Sequence, residues 1–381
     1  MANFYIPEII SGCGTLKAAG SKASELGAKN VLILTDRFLV QTNDFKIITD
    51  SLESYGISWN VFPDVQSNPT AESCETSAAI AHRYHCDLIV GFGGGSAMDQ
   101  AKTCAALLTN GKTCNYWDGI PLNRPMMPTI CIPTTSGTGS EVTFVAVITD
   151  PVREYKMSIG DPKHLLPTCA ICDPLVTLGL PQTLTASCGI DALTHAIEAF
   201  TSKASSAATD ALALRAITLI AHNINRAWEH PDDINARDAM MTGSTLAGSA
   251  FINSNVGSVH ALAETVGAKY HIPHGTANAI FLPYVMKFNL PKAADKYSEI
   301  AHILADSVSE DNSEHTAMDA IKQVTALCKK MSIPSLNSYP QITPGDFPLL
   351  SKRAAENPLS DDNPRIVTEQ DYLHILNQAF A

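Results

Sequence analysis

Short apolar runs rich in β-branched residues recur along the first half of the chain, and helical periodicity replaces them in the second. VLILTD (Val31–Asp36), ISWNVF (Ile57–Phe62), DLIVGFGGGS (Asp87–Ser96) and TICIPTT (Thr129–Thr135) are the runs. Each is strand length, and the stretches between them read as helices. Such alternation predicts a parallel sheet with helices on both faces, an architecture that collects ligands at the carboxyl ends of its strands. From about Pro181 the β-rich runs stop. TDALALRAITLIAHNINRAW (Thr209–Trp228), ARDAMMTGSTLAGSAF (Ala236–Phe251), KYSEIAHILA (Lys296–Ala305), HTAMDAIKQVTALCKKM (His315–Met331) and TEQDYLHILNQAF (Thr368–Phe380) carry aliphatic stripes that predict core-facing helices. The last opens on Thr368 with Asp371 three residues on, a helix-start pattern. The pattern predicts an α/β half followed by an all-α half.

One helical stretch carries more than apolar residues. In GIDALTHAIE, Gly189–Glu198, Asp191 and His195 stand four apart, so one carboxylate and one imidazole leave the same face of one turn. Two later histidines complete a candidate set: His260 in GSVHALAE and His274 in HIPHGTAN. An aspartate and three histidines suit a divalent first-row metal and leave a coordination position for substrate. Taken singly, each histidine reads equally as a hydrogen-bonded core residue. Three histidines and an aspartate, each bordered by small residues, together favour the metal.

The turns after the apolar runs carry a second kind of chemistry. The third run ends in Gly93, Gly94, Gly95 and Ser96 and passes into a helix with Asp99 and Lys102. Glycines at such a junction let backbone N–H groups approach an anion at the positive end of a helix, as a pyrophosphate requires. The turn is not a G-x-G-x-x-G fingerprint, and a glycine-rich turn alone is weak evidence. The fourth run ends in TTSGTGSE, Thr134–Glu141, whose hydroxyls suit a polar ligand. Asp36 closes the first run, where an acid accepts hydrogen bonds from an adenosine ribose and repels a 2′-phosphate. NAD is therefore expected over NADP, with a solvated turn aspartate as the plain alternative.

Composition narrows the class. At 381 residues, two domains are the natural expectation. Apolar residues make up 45% and charged residues 17%, a globular balance, and no segment is apolar for long enough to cross a bilayer. The start, MANFYIPEII, lacks an export pattern, so a cytoplasmic location is expected. The ten cysteines are scattered and are expected as reduced thiols. Cys169 and Cys172 form a C-x-x-C inside TCAICDP, a strand-like run that sends them to opposite faces, which argues against redox or zinc chemistry there. A net charge of −12 without a basic stripe excludes nucleic acid as a partner, and a small-molecule substrate fits better.

Together these stretches resemble the iron-containing, or group III, alcohol dehydrogenase family. The resemblance runs over nearly the whole chain: TDRFLV, GFGGGSAMDQAK, IPTTSGTGSEVT, CDPLVTLGLPQTLTASCGIDALTHAIEAF, the two-histidine stretch from Gly257 to Tyr284, and NPR at Asn363–Arg365. It implies an amino-terminal Rossmann-like NAD-binding domain over residues 1–180 and a carboxy-terminal helical metal-binding domain over 181–381, with metal and nicotinamide meeting between them. It implies Asp191, His195, His260 and His274 as ligands of one Fe or Zn ion. It places Gly93, Gly94, Gly95 and Ser96 at the pyrophosphate, Asp36 at the ribose, Thr134, Thr135, Thr138 and Lys156 along the cofactor, and counts Asp99 among the cofactor-binding residues. Glu198 is expected behind the ligands at most, or else as a solvent-facing or capping residue. Where many relatives carry a second histidine four residues after His260, this chain has Glu264. Glu264 and His271 are therefore the candidate proton-transfer residues.

The expected activity is a metal- and NAD-dependent alcohol dehydrogenase, acting as an aldehyde reductase on a short polar substrate of the lactaldehyde, propanediol or sulfoacetaldehyde type. A lyase resembling dehydroquinate synthase is the second reading, although such a site needs several Lys and Arg for a phosphorylated acid and few lie near the ligands. A structural subunit that lost its chemistry is the third. The β-rich FYIPEII is a candidate for pairing with a second chain in a homodimer or larger homo-oligomer.

Overall fold

A computed structural model describes residues 3–111, 119–151, 155–304 and 313–381. It divides into two compact units, Met1–Leu178 and Gly179–Ala381.

The first unit holds eight described strands: β1 Glu8–Ser11, β2 Asn30–Leu34, β3 Ser58–Phe62, β4 Leu88–Gly93, β5 Thr129–Pro133, β6 Val145–Asp150, β7 Tyr155–Gly160 and β8 Cys169–Cys172. Six form one sheet in the order β1-β8-β5-β4-β2-β3, parallel throughout. This is the doubly wound sheet expected, and the helices α1 Ala19–Glu25, α2 Asn43–Ser54, α3 Ala71–Arg83 and α4 Gly95–Asn110 connect it. Residues of β2, β4 and β5 are almost wholly buried, as strands covered on both faces must be. The chain runs from β2 outward to β3 and then returns to place β4 on the other side of β2, with Leu34 opposite Gly91. That reversal sets the carboxyl ends of β2 and β4 side by side, the position at which open α/β sheets bind ligands.

Boundaries differ from the sequence pattern in places. β2 stops at Leu34, two residues before Asp36, because the chain turns there: Asp36 Oδ1 accepts the N–H groups of Phe38 and Leu39 at 2.8 and 2.9 Å. A two-stranded antiparallel sheet, β6 with β7, was not anticipated. Its strand β6 alternates half-buried and buried residues. Cys169 and Cys172 lie on β8 as expected, and none of the described cysteines is in a disulfide.

The second unit is helical throughout among the described residues: α5 Gln182–Thr201, α6 Ala207–Glu229, α7 Ile234–Phe251, α8 Ser258–Tyr270, α9 His274–Leu304, α10 Ser313–Lys330, α11 Phe347–Glu356 and α12 Glu369–Phe380. α5 is buried on every face from Thr185 to Thr201 except at Cys188, and it packs against α6, α7 and α9. A helix without an exposed face belongs at the centre of its domain. The stretch Lys296–Ala305 is not a separate helix but the end of α9, which continues through Pro283 and Pro291; Ala305 lies outside the described residues. Pro283 cannot donate to the Ala279 carbonyl, and the Cys328 thiol approaches that oxygen at 3.6 Å instead. α12 has the capping box expected from Thr368 and Asp371.

Candidate functional site

Three helices deliver the four candidate ligands. α5 carries Asp191 and His195, α8 carries His260 in its first turn, and α9 begins at His274. One donor atom from each lies within 4.8 Å of the others. Asp191, His195 and His260 are 2–4% exposed, whereas the His274 side chain is 34% exposed. His195 stacks on Phe251 at 4.4 Å and on His260 at 4.6 Å between ring centroids. The approach of α9 to α5 requires Gly275, because a Cβ there would meet the Ser187 carbonyl at 2.6 Å and Asp191 Cβ at 3.2 Å. His274 reaches Asp191 for that reason.

Burial pushes the Asp191 carboxyl up, but the imidazoles of His195, His274 and His260 and the Asn278 amide outweigh it and hold the group below its ordinary range. No lysine or arginine pairs with Asp191 among the described residues; its ion-pair partner is His274 at 3.9 Å. The donor set fits a cation on a further observation. Asn278 Nδ2 lies 2.6 Å from Asp191 Oδ1, 3.1 Å from His260 Nε2 and 3.1 Å from His274 Nε2. An amide nitrogen has two hydrogens, and three lone pairs converge on it. A single positive centre satisfies all three. Asn278 was not singled out in the sequence, although it follows His274 by four residues and so shares its face.

Glu198 lies behind the ligands. It is 6% exposed, which removes the solvent-facing reading. Its Oε1 accepts the Val259 N–H at 2.8 Å, and its Oε2 is hydrogen-bonded to His260 Nδ1. The carboxylate thereby places a negative charge at the positive end of α8 and holds the His260 ring with Nε2 turned to the other ligands. Burial lowers the His260 pKa, but Glu198, Asp191 and Glu264 together leave it raised.

Glu264 lies one turn beyond His260, half-buried, and its Oε2 accepts from Asn357 Nδ2 at 3.0 Å. His271 terminates α8 in the left-handed region, with φ 55, and is exposed.

In the other unit, the ends of β2, β4 and β5 bring Asp36, Gly93–Ser96 and Thr134–Thr138 to one edge of the sheet. α4 has Gly94 as its N-cap, with no side chain closing its first turn, and Gly94, Gly95 and Ser96 are partly accessible. Gly93 has φ 155, and a Cβ on Gly95 would stand 2.9 Å from Thr138 Cγ2. The glycines therefore keep a shallow cradle at a helix N-terminus, as a diphosphate requires. The Thr134 N–H is tied to the Gly93 carbonyl at 2.9 Å, which joins the two turns. Asp99 Oδ1 accepts from Ser140 Oγ at 2.6 Å and its Oδ2 from the Val147 N–H at 3.0 Å. Lys102 is fully buried, bonded to Asp99 at 3.2 Å and to the Ser140 carbonyl at 3.0 Å. Both residues brace the threonine-rich turn from behind. Lys156 stands on β7 opposite Thr149.

Known proteins match over the whole chain. Residues 7–174 match the family model described as iron-containing alcohol dehydrogenase, and residues 185–380 match the carboxy-terminal model of the Fe-containing alcohol dehydrogenase family. The NAD-dependent methanol dehydrogenase of Bacillus methanolicus is 36% identical over 381 residues, covering 100% of both chains. The 1,3-propanediol dehydrogenase of Klebsiella pneumoniae is 35% identical, covering 100% of this chain and 99% of its own. A crystal structure of a 1,3-propanediol oxidoreductase superposes with a TM-score of 0.96 at 35% identity, covering 100% of both chains. These similarities do not favour the lyase reading.

Proposed function

The chain belongs to the iron-containing alcohol dehydrogenase family and is a metal- and NAD-dependent alcohol dehydrogenase and aldehyde reductase, and on that premise we propose that Asp191, His195, His260 and His274 hold its single divalent cation, Fe or Zn. The convergence of four donor atoms within 4.8 Å carries this reading. We assign residues 1–180 to NAD binding and 181–381 to metal binding. Asp36 faces the adenosine ribose, Gly93, Gly94, Gly95 and Ser96 cradle the pyrophosphate, and Thr134, Thr135, Thr138 and Lys156 flank the cofactor.

The bound cation supplies Lewis acidity toward the substrate oxygen, and the nicotinamide supplies or accepts the hydride. The chain's own residues do the rest. Asp191 is the one anionic donor among four, so the set leaves net positive charge where an alkoxide develops. Glu198 holds the proton on His260 Nδ1. The buried rings of His195 and His260 and the half-buried ring of Phe251 keep water from one side of the site, and the partly exposed His274 marks the open side.

We place proton transfer with Glu264 or His271. Glutamine at position 264 keeps an acceptor oxygen for Asn357 but cannot ionise. Glu264→Gln is therefore expected to lower the turnover rate and alter its pH profile while NADH binding stays nearly intact. A raised Michaelis constant with altered aldehyde preference instead assigns Glu264 to substrate positioning. Steady-state kinetics across pH decides, and an unchanged profile with unchanged substrate preference removes Glu264 from the reaction.

NADH is expected to be used far better than NADPH, because the Asp36 carboxylate opposes a 2′-phosphate. Asp36→Gly removes that charge and should narrow the gap. Asp36→Asn, which keeps an oxygen for the Phe38 and Leu39 N–H groups, separates the charge effect from the turn. Equal efficiency with both cofactors in the unaltered chain contradicts the assignment.

The substrate we propose is a short-chain, polar aldehyde or its alcohol, of the lactaldehyde, propanediol or sulfoacetaldehyde type. We further propose a cytoplasmic homo-oligomer; β1 is an edge strand, and Phe4 and Ile6 beside it are 42% and 45% exposed. No described helix is long and apolar enough to cross a membrane. The test of function is NADH oxidation across a panel of small aldehydes with Fe, Zn and Mn supplied separately. A metal-dependent response to at least one short aldehyde is expected, and no oxidation with any pairing rejects the substrate class.

A further inference from the structure

The residue before α8, Gly257, has no side chain with which to cap the helix. Two distant side chains do so instead: the Ser258 N–H donates to Asn363 Oδ1 at 3.3 Å and the Val259 N–H to Glu198 Oε1 at 2.8 Å. A Cβ on Gly257 would stand 3.0 Å from each of those oxygens. Glycine at 257 thus admits both acceptors to a helix end whose first N–H groups have no partner within the helix.

Asn363 is 1% exposed, and both of its amide atoms are engaged. It exchanges a reciprocal pair of hydrogen bonds with Asn289 of α9, at 2.8 and 2.9 Å, and donates to the Arg365 carbonyl at 2.6 Å. Arg365 in turn donates to the Phe288 carbonyl at 2.7 Å and lies 4.0 Å above the Phe288 ring. The segment Asn363–Arg365 is thereby fixed to α9, the helix that carries His274. From that anchorage one oxygen reaches the first turn of α8, two residues before His260.

We propose that Asn363 is a positioning residue for the metal site, fixing the first turn of α8 and so the aim of the His260 ring. Glu198 holds that ring through Nδ1, and Asn363 holds the backbone beneath it. The inference rests on His260 being a metal ligand. A cap usually stabilises a helix and nothing more. This one lies within a turn of a ligand, where a small rotation of the helix start displaces Nε2 from its place.

The test is Co2+ titration of the chelator-stripped chain, followed by visible absorption, beside thermal unfolding of the stripped proteins. Asn363→Ala is expected to weaken Co2+ binding by about 10-fold or more and to change the visible spectrum, as loss of an outer-shell partner does. Asn363→Ser, whose hydroxyl is too short to reach Ser258, is expected to show the same change and serves if the alanine variant does not fold. Asn363→Asp keeps the acceptor for Ser258 but loses the donor to Asn289 and to the Arg365 carbonyl, so it should keep the unaltered spectrum while losing thermal stability. Asn289→Ala breaks the same amide pair without removing the oxygen at Ser258. A purely structural role therefore predicts equal metal effects at 289 and 363, whereas positioning predicts the larger effect at 363 for a similar loss of thermal stability. Equal effects, or unaltered affinity and spectrum in both Asn363→Ala and Asn363→Ser, overturn the proposal. His260→Ala is the control: unaltered Co2+ binding there rejects His260 as a ligand, and this inference with it.

Discussion

His260→Ala and His274→Ala are each expected to lose bound metal and all measurable turnover while the chain remains folded. Each removes one of four donors from a set in which every donor comes from a different position on three packed helices. The remaining two imidazoles and one carboxylate hold a divalent ion far more weakly. The folding cost is modest. In His260→Ala, Glu198 Oε2 loses its partner, a cost of about 1–3 kcal/mol for a buried polar group. Glu198 Oε1 still caps Val259. In His274→Ala the lost ring is a third exposed, so less packing is removed. Elemental analysis with circular dichroism checks both, and full metal occupancy in either folded variant refutes the ligand set.

Glu198→Gln should come next in effect. The glutamine fits the same space, and its oxygen still accepts the Val259 N–H, so α8 keeps its cap. Its NH2 group then faces His260 Nδ1 and donates to it, which reverses the tautomer: the proton moves to Nε2, the atom that must carry the lone pair. Metal affinity is expected to fall about 10- to 100-fold with little change in thermal stability. Glu198→Ala should lose the cap as well, adding about 0.5–2 kcal/mol of destabilisation. Zn2+ competition against a chromophoric chelator measures the first effect, and unaltered affinity in Glu198→Gln removes Glu198 from the control of His260.

Local spacing made the parallel sheet and the helical half legible. The buried strands are continuous apolar runs, and Asp191 and His195 share a face because four residues make about one turn. Glu198 and Asn278 were within reach of the same rule, at three residues from His195 and four from His274, but spacing says only which face a side chain leaves. What that face meets is decided by helices dozens of residues away. Glu198 finds His260 across 62 positions, and Asn363 finds Ser258 across 105. Asp99 shows the converse: it follows the glycine turn as a cofactor residue would, yet the Ser140 hydroxyl, from the TTSGTGSE stretch, and the Val147 N–H, from a strand not read beforehand, hydrogen-bond to its two oxygens. The length of α9 was hidden for another reason. Pro283 and Pro291 are helix-breaking signals, and the packing of α9 against α5, α8 and α10 overrides them.

The most direct test of the metal assignment is anomalous diffraction from metal-loaded crystals, recorded above and below the absorption edge of the bound ion. A single peak per chain within bonding distance of Asp191, His195, His260 and His274 is the expected result. A peak at other residues, or none at these four in fully loaded and active protein, would contradict it.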